Sequence, residues 1–205
     1  MKSRFQQFGL LVLVALGIGC SCGNPVSSFN SRPAAFSVTG TTALMSGLIV
    51  ADTPTVLSDL IAEHPEVDTI VLINVVGSLD TEATFVAGRM LRQHGLNTHV
   101  PTNGVIASGG TDLFISGTLR TIEFGAQIGV HSWETDGDNG QPIIGRDLPD
   151  DHPFHQFFIN YYREMGLPDT FYRFAIRAAG PKSIHWMTQT ELRQFGLIAS
   201  GTINN

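Results

Sequence analysis

The sequence predicts one α/β domain in which parallel strands are connected by helices. A continuous apolar run rich in β-branched residues, Thr69–Val76, is typical of a strand buried on both faces of a parallel sheet. A helical pattern follows at Thr81–His94 and ends at Gly95, and a short strand pattern comes next at Asn97–Pro101. The same order of strand, helix and strand returns around Ser108, as crossover connections in a parallel sheet require.

Length, composition and charge set the class of protein. The chain has 205 residues, of which 42% are hydrophobic and 15% are charged, which is typical of one globular domain. The formal net charge of −6 offers no basic patch to nucleic acid or to an anionic membrane surface. We therefore expect no nucleic-acid partner.

The N-terminal segment predicts export. Lys2 and Arg4 precede an apolar run, Phe8–Ile18, which is too short for a stable membrane span. Small residues follow this run, so residues 1–19 are predicted to be a secretory signal peptide.

The junction before Cys20 resembles a bacterial lipoprotein signal, in which this cysteine becomes the lipidated first residue. That resemblance implies an exported protein in the bacterial periplasm, or one whose membrane contact is only through an N-terminal lipid anchor. The alternative is that Cys20 and Cys22 are incidental to ordinary signal cleavage. Residues 20–35 predict a linker and residues 36–205 the folded domain, which has no cysteine left for a disulfide or a metal.

The other elements of the domain follow from apolar periodicity and capping residues. Upstream of Thr69, the pattern predicts strands at Phe36–Thr39 and Ala43–Val50 and a helix from Thr53 to His64. Downstream of Ser108, it predicts strands at Thr118–Glu123 and Gln127–His131, a loop at Glu134–Asp151, helices at Asp151–Met165 and Asp169–Ala178, and a short helix opened by a Thr188–Glu191 capping box.

The segment around Ser108 carries the strongest chemical signal. Ser108 stands between a small residue and two glycines, directly before an apolar run that predicts a helix. His131 lies at the end of a later apolar run. A serine at a tight strand-to-helix turn, with a histidine delivered by a neighbouring strand, is the arrangement that nucleophilic acyl transfer needs. The simpler alternative is that Ser108 only caps the helix and His131 only ends a strand.

Four motifs occur in the same order as in one known superfamily: Leu72–Ser78, Ala107–Gly117, Phe124–His131 and Met187–Leu197. Together they resemble the Clp protease and crotonase superfamily, and most closely its secreted or periplasmic Clp-like members. The resemblance implies repeated ββα units, a mainly parallel sheet and a C-terminal helical region.

The resemblance also implies roles for individual residues. Ser108 would be the nucleophile and His131 the general base. The backbone N–H groups of Ser78 and Gly109 would form the oxyanion hole, and Gly77 would shape its loop. No metal or other cofactor is implied, and the substrate would be a peptide or protein.

One position departs from the family pattern, because Ile184 stands where the catalytic aspartate belongs. Isoleucine cannot orient an imidazole or stabilise its charged form. The carboxylates that could replace the aspartate are Asp112, Glu134, Asp136, Asp138 and Asp151. His185 is adjacent to Ile184, but we interpret it as a surface histidine before a helix.

We therefore expect a serine hydrolase that cleaves peptide-type acyl bonds through a Ser-His centre. The departure at Ile184 leaves two alternatives open: a catalytically inactive oligomeric scaffold or binding protein of the cell envelope, and a crotonase-type enzyme that polarises a thioester without a serine nucleophile. A stripe of aromatic residues in the Asp151–Met165 helix suits either core packing or a homo-oligomer interface.

Replacement of Cys20 tests the lipid anchor. The Cys20→Ser variant should move from the membrane fraction to the soluble fraction, because the serine hydroxyl cannot accept the lipid. Fractionation followed by immunoblotting measures this, with Cys22→Ser as the matched control that should stay with the membrane. Equal distribution of both variants and the unmodified chain would rule out an anchor at Cys20.

Overall fold

The computed structural model of the chain describes residues 32–137 and 140–198. The predicted signal peptide, Cys20, most of the predicted linker and Asp138 lie outside the described residues. Within those ranges, no helix has both the length and the apolar character needed to cross a membrane.

The described residues form ten strands and six α-helices. The strands are β1 (Ala35–Thr39), β2 (Thr42–Ser46), β3 (Thr69–Val75), β4 (Asn97–Val100), β5 (Val105–Ala107), β6 (Arg120–Ile122), β7 (Gln127–Val130), β8 (Glu134–Asp136), β9 (Pro142–Ile144) and β10 (His185–Trp186). The helices are α1 (Thr53–Glu63), α2 (Thr81–Gln93), α3 (Gly109–Phe114), α4 (Pro153–Glu164), α5 (Asp169–Ala178) and α6 (Gln189–Gln194).

Eight of these strands form one mainly parallel sheet, as the sequence predicts. Its main path runs β1-β2-β3-β5-β7-β10, while β4 pairs with both β3 and β6. All pairs between β2 and β7 are parallel, and only β1 and β10 run antiparallel to their neighbours. The strand β3 is central because β4 pairs with its first half and β5 with its second half.

The structure departs from the predicted elements at three places. Ala34 is buried and Pro33 pairs with Leu48, so the folded domain begins before the predicted boundary at residue 36. The predicted loop Glu134–Asp151 contains the β8–β9 hairpin, which is too short to give a periodic signal. The two-residue strand β10 was also absent from the prediction, because only its pairing with β7 defines it.

Strand β3 contributes much of the core, although Ile73 on this strand is exposed, so the strand is not covered along its whole length as the sequence predicts. Ile70, Leu72 and Val75 of this strand have no exposed surface. The aromatic stripe of α4 contributes to this core, since the Tyr161 ring stacks on Phe85 of α2 with 3.9 Å between ring centroids. Core packing therefore accounts for the innermost part of the stripe, and a homo-oligomer stays a prediction.

Two arginines hold the ends of three helices together. The guanidinium groups of Arg92 and Arg120 both donate to the carbonyl oxygens of Ile115, at the end of α3, and Met165, at the end of α4. Arg120 donates in addition to the carbonyls of Gly196 and Leu197, directly after α6. Burial lowers the pKa of Arg120, and the neighbouring Arg92 charge adds to this.

Helix α3 lies against the end of β3 without intervening side chains. A Cβ atom on Gly110 would overlap the carbonyl oxygen of Val75, and one on Gly109 would overlap the Cβ of Ser78. Because the obstacle at Gly110 is backbone, it cannot move away as a flexible side chain would. Only glycine allows this contact, which places the start of α3 beside the loop after β3.

Replacing Gly110 by alanine should therefore destabilise the fold by about 1–3 kcal/mol through overpacking. Urea unfolding followed by circular dichroism measures the free energy of unfolding. Gly77→Ala is the matched control, because its Cβ would meet only the Leu48 Cδ2 atom at 3.5 Å. The control should change stability by less than about 0.5 kcal/mol. Equal stability of the two variants would contradict the packing argument.

Candidate active site

Three adjacent parallel strands bring the predicted site residues to one edge of the sheet. Ser78 follows β3, Ser108 follows β5 and His131 follows β7. Strand β5 lies between β3 and β7 and is parallel to both. The carboxyl ends of the three strands therefore lie at the same edge of the sheet. All three residues line the same cavity, and Gly109 lines it with them.

Ser108 occupies a strained backbone conformation at the strand-to-helix turn. Its φ of 55° and ψ of −124° lie in a region that residues other than glycine rarely adopt, which costs about 1–3 kcal/mol. The Ser108 N–H donates to the Gly129 carbonyl at 3.1 Å, and the Thr111 hydroxyl donates to the same oxygen at 2.8 Å. The side chain of Ser108 makes no capping hydrogen bond, so helix capping does not explain it.

His131 is held in one orientation by its own backbone. Its Nδ1 atom lies 2.7 Å from the carbonyl oxygen of Ser132, and because a carbonyl only accepts, Nδ1 carries the hydrogen. The lone pair is then on Nε2, which is buried and has no hydrogen-bond partner among the described residues. Burial lowers the pKa of His131, while the Ser132 carbonyl and the charge of Glu134 act in the opposite direction.

Two backbone N–H groups lie side by side next to the serine. A Cβ atom on Gly109 would lie 3.2 Å from the Ser78 nitrogen, which shows how closely the two backbones approach. The loop is fixed because the Gly77 carbonyl accepts from the Ile49 N–H at 3.2 Å and the Ser78 hydroxyl accepts from the Thr84 hydroxyl at 2.7 Å. Among the described residues, neither the Ser78 N–H nor the Gly109 N–H donates to a backbone carbonyl.

Ile184 lies beside the histidine in the sheet. The antiparallel pairing of His185 with Val130 places Ile184 at the level of His131. The Cγ2 atom of Ile184 comes within 2.5 Å of where a Gly129 Cβ would be, so its side chain covers the strand that carries the histidine. His185 itself does not enter the site, because its Nε2 atom pairs with Glu191 at 3.1 Å.

No carboxylate described by the structure hydrogen-bonds to His131. Glu134 lines the cavity and acts on the histidine only through its charge. Asp136 and Asp151 are exposed and do not line the cavity. Asp112 lines the cavity but is engaged elsewhere, because its Oδ1 atom accepts a 2.7 Å hydrogen bond from the Tyr162 hydroxyl.

Asp112 has an environment that the sequence pattern did not reveal. Its backbone carbonyl accepts from the Tyr161 hydroxyl at 2.8 Å, so two adjacent tyrosines of α4 hold this one residue of α3. Burial raises the pKa of the Asp112 carboxyl to about 7, against the effect of the hydrogen bond from Tyr162. A carboxyl that titrates near neutrality beside a candidate nucleophile is a feature of functional sites.

Stacked aromatic rings form one wall of the cavity. The Phe158 ring stacks on Trp133 with 5.3 Å between centroids and on Tyr172 with 5.6 Å. The Trp133 Nε1 donates to the Tyr172 hydroxyl at 3.0 Å, and that hydroxyl lies 2.6 Å from Nδ1 of the buried His155. Helical periodicity indicates that Phe158 faces inward, but the partners come from other segments and no sequence signal links them.

Metal ligands are not grouped at the site. Within residues 32–137 and 140–198, no cluster of three or more His, Cys, Asp or Glu side chains could hold a metal ion. The polar groups of the cavity are hydroxyls, backbone N–H groups, one imidazole and two carboxyls. This set suits nucleophilic attack and proton transfer by side chains.

No protein-family model matches the chain, and no curated protein matches it either. A solved structure of 1510-N, a membrane-bound stomatin-specific protease in mutant form, is 18% identical and has a TM-score of 0.55, covering 80% of this chain and 77% of that chain. A second mutant of that protease, in complex with a substrate peptide, is 18% identical with a TM-score of 0.48, covering 77% and 73%. A protein assigned as an enoyl-CoA hydratase from Streptomyces coelicolor A3(2) is 12% identical with a TM-score of 0.47, covering 91% and 72%.

The chain therefore has a Clp/crotonase-like α/β fold with a mainly parallel sheet, as the sequence motifs predict. At 18% identity the likeness to the protease shows the fold alone, so an activity has to be argued from the side chains of this site.

The raised pKa of Asp112 predicts how stability depends on pH. Between the ordinary value of 3.8 and about 7, the folded chain binds this proton more tightly than the unfolded chain, so the free energy of unfolding falls as pH rises. Asp112→Asn should remove this part of the fall, because the amide stays neutral and can still accept from Tyr162. Urea unfolding across this pH window measures it, with the exposed Asp59→Asn as control. If the free energy of unfolding changed with pH in the same way for Asp112→Asn and for the unmodified chain, the pKa of Asp112 would not be raised, and the prediction would be contradicted.

Proposed function

We propose that this protein is a serine hydrolase that cleaves peptide-type acyl bonds. The observation that carries the proposal is that a strained, uncapped Ser108 lines the same cavity as His131, whose Nε2 is buried and has no hydrogen-bond partner among the described residues. The protease among the structural neighbours supports this class of reaction.

In the proposed reaction, Nε2 of His131 takes the hydroxyl proton of Ser108 as the serine oxygen attacks the substrate carbonyl. The N–H groups of Ser78 and Gly109 would donate to the oxyanion that forms. His131 then returns the proton to the leaving amine, and water releases the acyl group from the serine. The Ser132 carbonyl keeps the imidazole in the required tautomer throughout.

The cellular setting forms part of the proposal. The signal-like residues 1–19 and Cys20 support export and a lipid anchor, with the domain in the bacterial periplasm. The hydrolase would then act on peptides or proteins of the envelope, as a monomer or a homo-oligomer.

Ile184 favours a second candidate function, a catalytically inactive scaffold or binding protein. The isoleucine side chain lies beside His131, where a carboxylate would stabilise the imidazolium formed during catalysis. The Ser132 carbonyl supplies orientation but no full negative charge. A scaffold would retain the fold and the cavity without covalent chemistry at Ser108.

An active-site probe separates the two functions. A fluorophosphonate should label the protein at Ser108, and Ser108→Ala should abolish the labelling because the bond forms at that oxygen. His131→Ala should slow it at least roughly 1,000-fold. Because burial lowers the pKa of His131, its imidazole stays neutral to a more acidic pH than an ordinary histidine does. Labelling should therefore persist to a more acidic pH. Peptide mapping by mass spectrometry and rate measurements across pH provide the readout.

Matched controls keep this experiment specific. Ser58→Ala replaces an exposed serine of α1, and His64→Ala replaces a histidine whose side chain is 40% exposed. Both controls should label at the rate of the unmodified chain. A folded protein that no fluorophosphonate labels at any pH would exclude the hydrolase and favour the scaffold.

A further inference from the structure

The cavity beside Ser108 carries charge of one sign only. Its charged lining residues are Asp112 and Glu134, and no lysine or arginine lines it among the described residues. Arg173 lies over the Tyr172 ring, but its guanidinium binds Asp150 and does not line the cavity. The electrostatic potential inside is therefore negative whenever either carboxyl is ionised.

Asp112 is placed to meet a ligand held at Ser108. It lies in the first turn of α3, which begins directly after Ser108, and both residues line the same cavity. Its Oδ1 atom is fixed by Tyr162, while its Oδ2 atom accepts no hydrogen bond from a described residue. One carboxyl oxygen thus has no partner within the described part of the chain.

The aromatic wall suits both the methylene groups and the cationic group of a basic side chain. Trp133, Phe158 and Tyr172 present stacked rings along one side of the cavity. The methylene groups of lysine or arginine pack well on such surfaces, and their cations are attracted to aromatic faces. Aromatic rings and carboxyls together form a recognition site for an organic cation.

The residues proposed to react line this same cavity. His131 is 8% exposed, and its unpartnered Nε2 atom belongs to a residue of the cavity lining. A ligand that places its cation near Asp112 therefore lies beside both Ser108 and His131. The charged pocket is a specificity pocket of the site and not a separate surface feature.

We infer that the site selects peptides that carry a lysine or arginine side chain, with the cation bound between Asp112, Glu134 and the aromatic wall. The inference rests on the proposed function for its catalytic consequence, since the selected residue would lie next to the bond that is cleaved. A coenzyme A thioester, whose phosphates are anionic, is disfavoured by the same negative charge.

Binding of matched peptides tests the inference without turnover. The full chain with Ser108→Ala is titrated in a calorimeter with three blocked tripeptides, whose central residue is lysine, norleucine or glutamate. Norleucine keeps the aliphatic stem and lacks the ammonium group. The lysine peptide should bind roughly 10-fold or more tightly than the norleucine peptide, as expected for a hydrogen bond to a charged group, and the glutamate peptide should bind most weakly.

Two variants assign the preference to its residues. Asp112→Asn in the same background should reduce the lysine preference to within about 3-fold, and Glu134→Gln should reduce it by less. Glu134→Gln also tests the assignment if Asp112→Asn fails to fold. The exposed Asp59→Asn should keep the full preference. Equal binding of the lysine and norleucine peptides, or a preference that survives both cavity variants, would overturn the inference.

The outcome is separable from that of the proposed function. A lysine preference that depends on Asp112, in a chain whose Ser108 resists fluorophosphonate, would establish a cation-binding pocket without hydrolysis. Labelling of Ser108 without a preference for the lysine peptide would support the proposed hydrolase and overturn the inferred specificity for basic side chains.

Discussion

The close approach of helix α3 to the end of β3 is the constraint on which the site depends. Because Gly109 and Gly110 lack side chains, the start of the helix lies directly against Val75 and Ser78. This contact brings together the two N–H groups of the proposed oxyanion hole, directly after the turn in which Ser108 is strained. The strain is tolerated because backbone hydrogen bonds fix the turn on both sides, so its cost is distributed over the sheet.

The histidine is oriented by a carbonyl where related sites would use a carboxylate. Ser132 determines which nitrogen of His131 holds the proton, but its partial charge stabilises an imidazolium less than an ionised aspartate does. Burial of the ring lowers the pKa of His131 and so favours the neutral base. Such a site keeps the imidazole neutral, and so able to accept a proton, over a wide pH range. The lowered pKa also makes the imidazole a weaker base.

Patterns within one segment of the chain allowed prediction of the sheet, the helices and the positions of Ser108 and His131. The buried run of β3 and the glycine pair after Ser108 are both signals of this local kind. What could not be predicted depends on contacts between distant segments. The bond from Tyr162 to Asp112 joins residues on two helices, and the Ser132 carbonyl becomes visible as a partner of His131 only when the ring orientation is known. The strands of the β8–β9 hairpin are likewise too short to show the alternation of apolar and polar residues that predicts a strand.

The arginine pair at the helix ends has a consequence for cooperativity. Arg92 and Arg120 satisfy carbonyls at the ends of α3 and α4, and Arg120 extends this to the segment after α6. Two like charges stay close because three sets of partially negative helix ends surround them. Detachment of any one of these helices would leave a half-buried guanidinium with fewer acceptors. These shared hydrogen bonds couple α3, which follows Ser108, to α4 and to the segment after α6, and such coupling favours cooperative unfolding of the three.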